Sequence, residues 1–149
     1  MYCVIDRFEE LAKMQAKLKS TDDTDGKIGV LLEYRKRIDT DFLKRVCNYV
    51  WGSIDFKVTS ERVLEHLHKV KYFEALPLSD GEICEYLDGI PNGKGSEKAV
   101  DLCARIYGSV NVWNKAVAEL FLNILDKDFK CGVTREMAER AYPDLFCNV

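Results

Sequence analysis

The chain has 149 residues, of which 47% are hydrophobic and 32% charged, with nine Gly and three Pro. This composition excludes a disordered or collagen-like chain, and the length is typical of one globular domain with a sizeable core. The net charge of −3 argues against a nucleic-acid partner, although phosphate binding needs positive potential only at the contact surface and not over the whole molecule. No apolar run approaches the roughly 18 residues of a membrane span, and acidic residues stand where a signal peptide would be basic and then apolar.

Apolar residues recur at three- and four-residue spacing along most of the chain, which predicts about eight helices. In chain order, the stripes are Val4, Phe8, Leu11, Leu18; Ile28, Leu31, Leu32, Arg35; Phe42, Leu43, Val46, Cys47, Val50; Val63, Leu64, Leu67; Ile83, Tyr86, Leu87, Ile90; Ala99, Cys103, Ile106, Tyr107; Trp113, Ala116, Val117, Leu120, Phe121, Ile124; and Met137, Ala138, Ala141. The alternating segment Ile54–Val58 favours an extended strand but is too short and solitary to form a sheet. We therefore predict one all-α, compact multi-helix domain over residues 1–149.

Residues that favour helix starts precede several of these stripes. They are Thr40, Ser60, Ser79, Ser96 and Thr134. Ser79 and Glu82 have the spacing of a capping box. The residues before the stripes therefore support the helical prediction.

The cysteines and histidines indicate neither a metal site nor a nucleophilic site. The six cysteines contain no Cys-x-x-Cys pair and are spread along the chain: Cys3, Cys47, Cys84, Cys103, Cys131 and Cys147. Such spacing is typical of reduced, partly buried thiols in a reducing compartment, so we expect a cytoplasmic protein. His66 and His68 are two residues apart on a predicted helix and point about 200° apart, so they cannot share a metal. We expect no cofactor, no metal and no catalytic residue.

The loop Pro91–Gly95 ends at a predicted helix start and is the first candidate phosphate site. Gly95 and Ser96 open the helix, and Lys94 and Lys98 flank it. Free N–H groups at a helix start suit a phosphate of any kind. The strand and full spacing of a nucleotide-binding P-loop are absent, which argues against a nucleotide fold.

A second candidate of the same type lies between Asp126 and Arg135, where a long amphipathic helix is predicted to end. Gly132 supplies a backbone turn and Thr134 caps the next helix. Two glycine-containing helix starts with basic flanks are typical of a sequence-independent grip on duplex DNA. The predicted DNA-binding residues are Lys94, Gly95, Ser96, Lys98, Lys127, Lys130, Cys131, Gly132, Val133, Thr134 and Arg135.

The segment Leu122–Thr134, with the sequence LNILDKDFKCGVT, and the segment Ala141–Phe146, with the sequence AYPDLF, resemble the end of a known domain. The domain they resemble is the N-terminal DNA-binding domain of phage-type ATP-dependent DNA ligases. In that family, Cys-Gly is followed by a small residue and then by Ser or Thr. A helix comes next and runs into an aromatic-Pro-x-Leu sequence. Weaker matches lie at Leu31–Glu33, at Asp41–Val46 and at the Gly95-Ser96 helix start. The resemblance implies an all-helical domain that binds the minor groove of duplex DNA on both sides of a nick and helps the ligase close round it, in DNA replication and repair.

The chain departs from the resemblance at two points. Lys94 stands where the family often has threonine, and the acidic Glu97 lies close by. The family's Lys-x-Asp-Gly adenylation motif is also missing, because the Asp-Gly pairs at residues 25–26, 80–81 and 88–89 have no lysine two residues before them. We therefore expect no enzyme activity from this chain, with the catalytic nucleotidyltransferase domain absent. The end soon after Pro143–Phe146 suggests a domain boundary in a longer ATP-dependent ligase, or a stand-alone relative.

The distribution of charge leaves a second function open. Residues 27–71 carry ten Lys or Arg against six Asp or Glu, whereas residues 72–90 carry five Asp or Glu and no Lys or Arg. The alternative is therefore a helical adaptor whose acidic segment, Glu74 to Asp88, or basic segment, Arg35 to Arg45, docks a replication protein such as a sliding clamp. The expected partners are double-stranded or nicked DNA and, beyond DNA, a sliding clamp or a ligase catalytic domain, but no membrane.

Overall fold

The computed structural model describes residues 3–70 and 76–146. Within them the chain forms eight α-helices: α1 (Asp6–Lys19), α2 (Thr24–Arg35), α3 (Thr40–Trp51), α4 (Ser60–Lys69), α5 (Asp80–Gly89), α6 (Glu97–Trp113), α7 (Lys115–Leu125) and α8 (Arg135–Ala141). Short 3-10 helices cover Ile90–Gly93 and Pro143–Leu145. The predicted all-α fold is confirmed. None of the helices in the described ranges combines the length and apolar character needed to cross a membrane.

Helix α7 lies at the centre of the packing. It contacts α1, α3, α4 and α6, and its side chains from Val117 to Leu125 are buried except for Glu119. A helix that is apolar on nearly all sides must be surrounded by other elements, which explains why the remaining helices pack around it. Helix α2 packs on α1 and carries α8 on its other side. A single hydrophobic core results, with Phe8, Leu43 and Ile106 among its fully buried side chains.

Side-chain caps begin most helices, as the residue types predicted. Ser79, Ser96 and Thr134 each accept a hydrogen bond from the backbone amide three residues later. At α3 and α4 the cap lies one residue earlier than predicted, at Asp39 and Thr59. The Asp39 carboxylate accepts a hydrogen bond from the Phe42 amide, and the Thr59 hydroxyl accepts one from the Arg62 amide. The side chains of Thr40 and Ser60 are therefore available for other contacts.

The predicted stripe that begins at Trp113 is wrong at its start. Helix α6 ends at Trp113, and Asn114 both ends α6 and caps α7 by accepting from the amide of Val117 at 3.1 Å. Asn114 also donates to Glu9 at 3.1 Å, which holds the corner against α1. Trp113 is therefore 51% exposed instead of lying in the core.

One further difference from the sequence prediction concerns extended backbone. Val4 precedes α1 and belongs to β1 (Cys3–Val4), which pairs in parallel with β2 (Leu78–Ser79), so that Val4 lies opposite Ser79. As predicted, the segment 54–58 forms no part of a sheet, and its burial alternates as in an extended segment. Lys57 interrupts it because its φ of 59° lies in the left-handed region.

Candidate nucleic-acid interface

The first predicted site, at the start of α6, is formed as a helix start with two exposed lysines. Lys94 and Gly95 adopt φ of 49° and 72°, and the Ser96 hydroxyl accepts from the amide of Ala99 at 3.2 Å. The amides of Glu97 and Lys98 lie in the first turn, where a helix offers no backbone acceptor. Neither Lys94 nor Lys98 forms an ion pair with another residue of the described ranges.

The second predicted site is a rigid turn between α7 and α8. Gly132 has a φ of 77°, and Thr134 accepts from the amide of Met137 at 3.2 Å. Lys130 is exposed, with its Nζ 3.4 Å from Asp126. The Arg135 guanidinium donates to the carbonyl oxygen of Trp51 at 2.8 Å and pairs with Glu139 at 2.7 Å. Because α8 has only seven residues, the positive charges of Lys130 and Arg135 matter more here than the dipole of a long helix.

Two residues of the second predicted site face inward. The Lys127 Nζ donates to the carbonyl oxygens of Tyr49, Gly52 and Ile54 at 2.8, 3.0 and 2.5 Å. Burial lowers the pKa of Lys127, against the opposing effect of nearby Asp55. Lys127 therefore joins the α7–α8 loop to the α3–α4 loop, and its ammonium group has its donors directed at the protein.

Cys131 likewise contributes to the turn from within. Its side chain is buried, which raises the pKa of the thiol, and its carbonyl oxygen accepts from the Lys27 Nζ at 2.8 Å. Two residues before Cys131, the carbonyl oxygen of Phe129 accepts a hydrogen bond from the buried side-chain amide of Gln15 at 2.6 Å. Val133 is half-buried and packs against the core. These contacts hold the backbone of the turn in place from α1 and α2.

The loop between α3 and α4 lies between the two predicted sites and was not predicted to take part. Gly95 approaches its backbone so closely that a Cβ at position 95 would stand 2.8 Å from the carbonyl oxygen of Lys57. Arg62 donates to the same oxygen at 3.3 Å. On its other side, this loop contacts Asp126 and Lys127. Residues 55–62, 94–98 and 126–135 are therefore neighbours in space, and we call them together the three-loop surface.

Two turns of the three-loop surface share one sequence and one conformation. Asp-Phe-Lys occurs at residues 55–57 and again at residues 128–130. In each turn the Asp carboxylate accepts from the Lys backbone amide, at 3.0 Å in the first and 2.8 Å in the second. Both Phe side chains are buried, and both lysines are exposed with a φ of 59° or 54°. The repeated tripeptide was the sequence signal that would have identified Lys57, but a three-residue match is too short to stand out before the conformation is known.

Other chemistry-bearing residues are engaged in the fold. His66 pairs with Asp101 at 2.9 Å, and no group of metal-binding side chains occurs among residues 3–70 and 76–146. The described cysteines Cys47, Cys84, Cys103 and Cys131 are free and buried, as predicted. Burial raises the pKa of Cys47 and of Cys103 to about 12, so neither is an activated nucleophile. Cys147 and the side chain of Cys3 lie outside the described residues.

The charged segments of the alternative adaptor contact one another or other parts of the chain. Asp88 pairs with Arg45 and accepts from the Tyr49 hydroxyl at 2.7 Å. Asp80 accepts from the backbone amide of Arg7 at 3.1 Å and so caps α1 from across the chain. Arg35 pairs with Asp144 at 2.7 Å. Glu74, the predicted start of the acidic segment, lies outside the described residues.

Comparison with protein-family models, curated proteins and solved structures finds no match to this chain. The case for a function therefore rests on the chain's own residues. Among these, the three-loop surface is the region where exposed lysines, an exposed helix start and closely packed loops occur together.

Proposed function

We propose that this chain binds duplex or nicked DNA without sequence preference, using the three-loop surface to hold phosphates. The observation that carries the proposal is the start of α6, where Lys94 and Lys98 flank amides that have no intrahelical acceptor. A phosphate there would gain hydrogen bonds from the backbone and attraction from both ammonium groups and the dipole of a 17-residue helix. Contacts of this kind position a protein on DNA and carry no information about the bases.

The second turn extends the proposed contact. Lys130 on the α7–α8 loop and Arg135 at the start of α8 add two exposed cationic groups, each also paired with an acidic residue, Asp126 and Glu139. Lys127 holds this loop to the α3–α4 loop. A rigid arrangement of cations loses little conformational entropy on binding, so more of the electrostatic attraction appears as affinity. We propose that Lys127 and Cys131 support this surface without touching DNA, because the ammonium group and the thiol face the protein interior.

We propose further that the domain is the non-catalytic DNA-binding part of an ATP-dependent DNA ligase, or a stand-alone relative. Support comes from the sequences of Leu122–Thr134 and Ala141–Phe146. The first of these includes most of the α7–α8 turn, whose backbone accepts hydrogen bonds from Gln15 and Lys27. None of the Asp-Gly pairs of the sequence follows a Lys-x dipeptide, so no lysine stands where the family's nucleophile would. Binding at a nick, with adenylation and ligation performed by a separate domain, is the role proposed for this chain.

The alternative, a helical adaptor that docks a replication protein such as a sliding clamp, has weaker support. Its basic and acidic segments would need to offer free charge to a partner. Instead, Arg45 and Asp88 neutralise one another, and Asp80 is occupied as a cap. The remaining exposed charges of these segments keep the alternative open to test.

Fluorescence anisotropy of the 149-residue chain with nicked and intact duplexes of one sequence, at several salt concentrations, tests the proposal. Counterion release predicts a linear fall of log K with log salt, with a slope of about −0.9 per phosphate contact. Tighter binding to the nicked duplex would connect the domain to ligation. Absence of binding at low salt would overturn the proposal and favour the adaptor.

Charge-reversal variants localise the contact. Lys130→Glu and Arg135→Glu should weaken binding to every duplex sequence by about the same factor, because phosphates are common to all sequences. Lys115→Glu makes the same charge change beyond the C-terminal end of α6, about 25 Å along the helix from Ser96. It should leave affinity close to that of the unmodified chain. Selective loss on one sequence, or equal loss with Lys115→Glu, would contradict a phosphate contact at the second turn.

A further inference from the structure

We propose that Lys57 is a DNA-phosphate contact, and that the two Asp-Phe-Lys turns, residues 55–57 and 128–130, form a matched pair on the duplex backbone. The inference rests on the proposed function and extends it to a turn that the sequence alone did not single out. It concerns the two ammonium groups, Lys57 and Lys130, and not the helix starts that follow them.

The two turns hold the backbones of their lysines in the same way, whereas the Lys130 ammonium group also pairs with Asp126. In each, a carboxylate two residues earlier accepts from the lysine amide, and a buried phenylalanine lies between the two. Phe56 lies 5.9 Å from the ring of Tyr49, and Phe129 lies 5.2 Å from the ring of Trp51. Both turns are therefore anchored on the C-terminal end of α3. The common anchor fixes the two lysine backbones relative to one another.

Lys57 is also close to the first predicted site. The close approach of Gly95 to the Lys57 carbonyl places Lys94 beside this turn. Lys57 is exposed, and its ammonium group forms no ion pair within residues 3–70 and 76–146. Lys57 therefore supplies unneutralised positive charge between the α6 start and the α7–α8 turn, and so connects the two proposed contacts.

The choice of lysine at these positions is costly for folding. All non-glycine residues of positive φ in the described ranges are lysines: Lys57, Lys94, Lys127 and Lys130. Glycine or asparagine adopts this conformation with less strain. Lys127 compensates through its three carbonyl contacts, whereas the Lys57 ammonium makes no comparable contact with the described residues. What lysine offers at position 57 is an exposed positive charge.

Lys57→Asn tests the inference, because asparagine removes the charge and tolerates the left-handed backbone. Loss of one phosphate contact should reduce the magnitude of the salt slope by about 0.9, which at 0.1 M salt is an affinity loss of about eightfold. The thermal midpoint should stay the same or rise. Lys57→Arg should keep the slope, and the Lys57→Asn, Lys130→Asn double variant should lose about twice as much slope as either single variant.

Lys115→Asn is the matched control, since it removes the same charge at the far end of α6. If the unmodified chain binds DNA and Lys57→Asn keeps its salt slope, the inference fails while the proposed function stands. Equal loss in Lys57→Asn and Lys115→Asn would also overturn it, since the effect would then be one of net charge. If the unmodified chain does not bind DNA, the proposed function fails and the inference fails with it.

Discussion

The carboxylate of Asp126 accepts hydrogen bonds from both the backbone amide and the hydroxyl of Ser60, at 2.8 and 2.5 Å. This contact joins the end of α7 to the start of α4, and it explains why the Ser60 hydroxyl does not cap its own helix. Burial raises the pKa of the Asp126 carboxyl, but the hydrogen bonds from Ser60 and the nearby Lys130 outweigh burial, so the pKa lies below its ordinary value. The charged carboxylate is therefore stabilised by folding.

Asp126→Asn should lower the free energy of unfolding at pH 7 by about 1.5–3 kcal/mol, the range for a hydrogen bond to a charged group. Because the folded pKa is lowered, the stabilisation is present above the unfolded pKa of about 3.9 and is lost as pH falls through the folded value. The difference between the unmodified chain and the variant should therefore narrow below about pH 4. Urea unfolding of both proteins at pH 7, 5 and 3 measures this difference in the free energy of unfolding. A difference that stays constant over this range would show that ionisation of Asp126 does not contribute.

Lys127→Met should destabilise the fold more than the loss of an exposed lysine does. The variant leaves the carbonyl oxygens of Tyr49, Gly52 and Ile54 without their donor, at a cost of about 2–3 kcal/mol. Lys115→Met, at an exposed position, should change stability by less than about 0.5 kcal/mol. Chemical denaturation of both variants measures the two effects. Similar stabilities would mean that the three hydrogen bonds are replaced by water without cost.

The helices and most of their starts could be predicted because they depend on local chemistry. The stripe of α3 and the caps Ser96 and Thr134 are determined by residues within one or two turns. The two helices on either side of Asn114 were predicted as separate, but the second was begun too early, because Trp113 continues the apolar spacing of α7 back past its cap. Periodicity alone does not locate the capping residue between two adjoining helices.

The candidate site was predicted only in part because its form depends on contacts between distant residues. Lys127 stands in a basic segment, and only its approach to Tyr49, Gly52 and Ile54 makes it a supporting residue instead of an exposed cation. Lys57 lies in a segment whose alternating pattern indicated only a short extended stretch outside any sheet. Its position beside Gly95 depends on long-range packing of α4 against α6, for which a single sequence contains no signal.

Glu97→Gln should increase DNA affinity while slightly lowering stability. Glu97 lies in the first turn of α6, where its charge favours the helix dipole by about 0.3–1 kcal/mol but repels a phosphate at the same helix start. The repulsion between the Glu97 carboxylate and a phosphate charge about 6 Å away in water is roughly 0.7 kcal/mol. Removing it should raise the affinity about threefold. Anisotropy and thermal unfolding measure the two effects. Glu82→Gln, in the first turn of α5, should cost similar stability and leave affinity unchanged. Unchanged affinity in Glu97→Gln would argue against a phosphate at the start of α6.

Gly95→Ala should destabilise the domain and also weaken the proposed binding of DNA, because Gly95 connects the start of α6 to the Lys57 turn. Alanine at a φ of 72° costs roughly 1–2 kcal/mol, and its Cβ would stand 2.8 Å from the Lys57 carbonyl oxygen, so one of the two loops must move. Gly108→Ala is the matched control. It lies inside α6, where a Cβ would meet no other atom within 4 Å, and should stabilise the helix by about 0.5–1 kcal/mol. Unfolding and salt-dependent anisotropy on both variants separate the outcomes. A Gly95→Ala variant that is less stable but binds with the original salt slope would show that the spacing of the two loops does not govern phosphate contact.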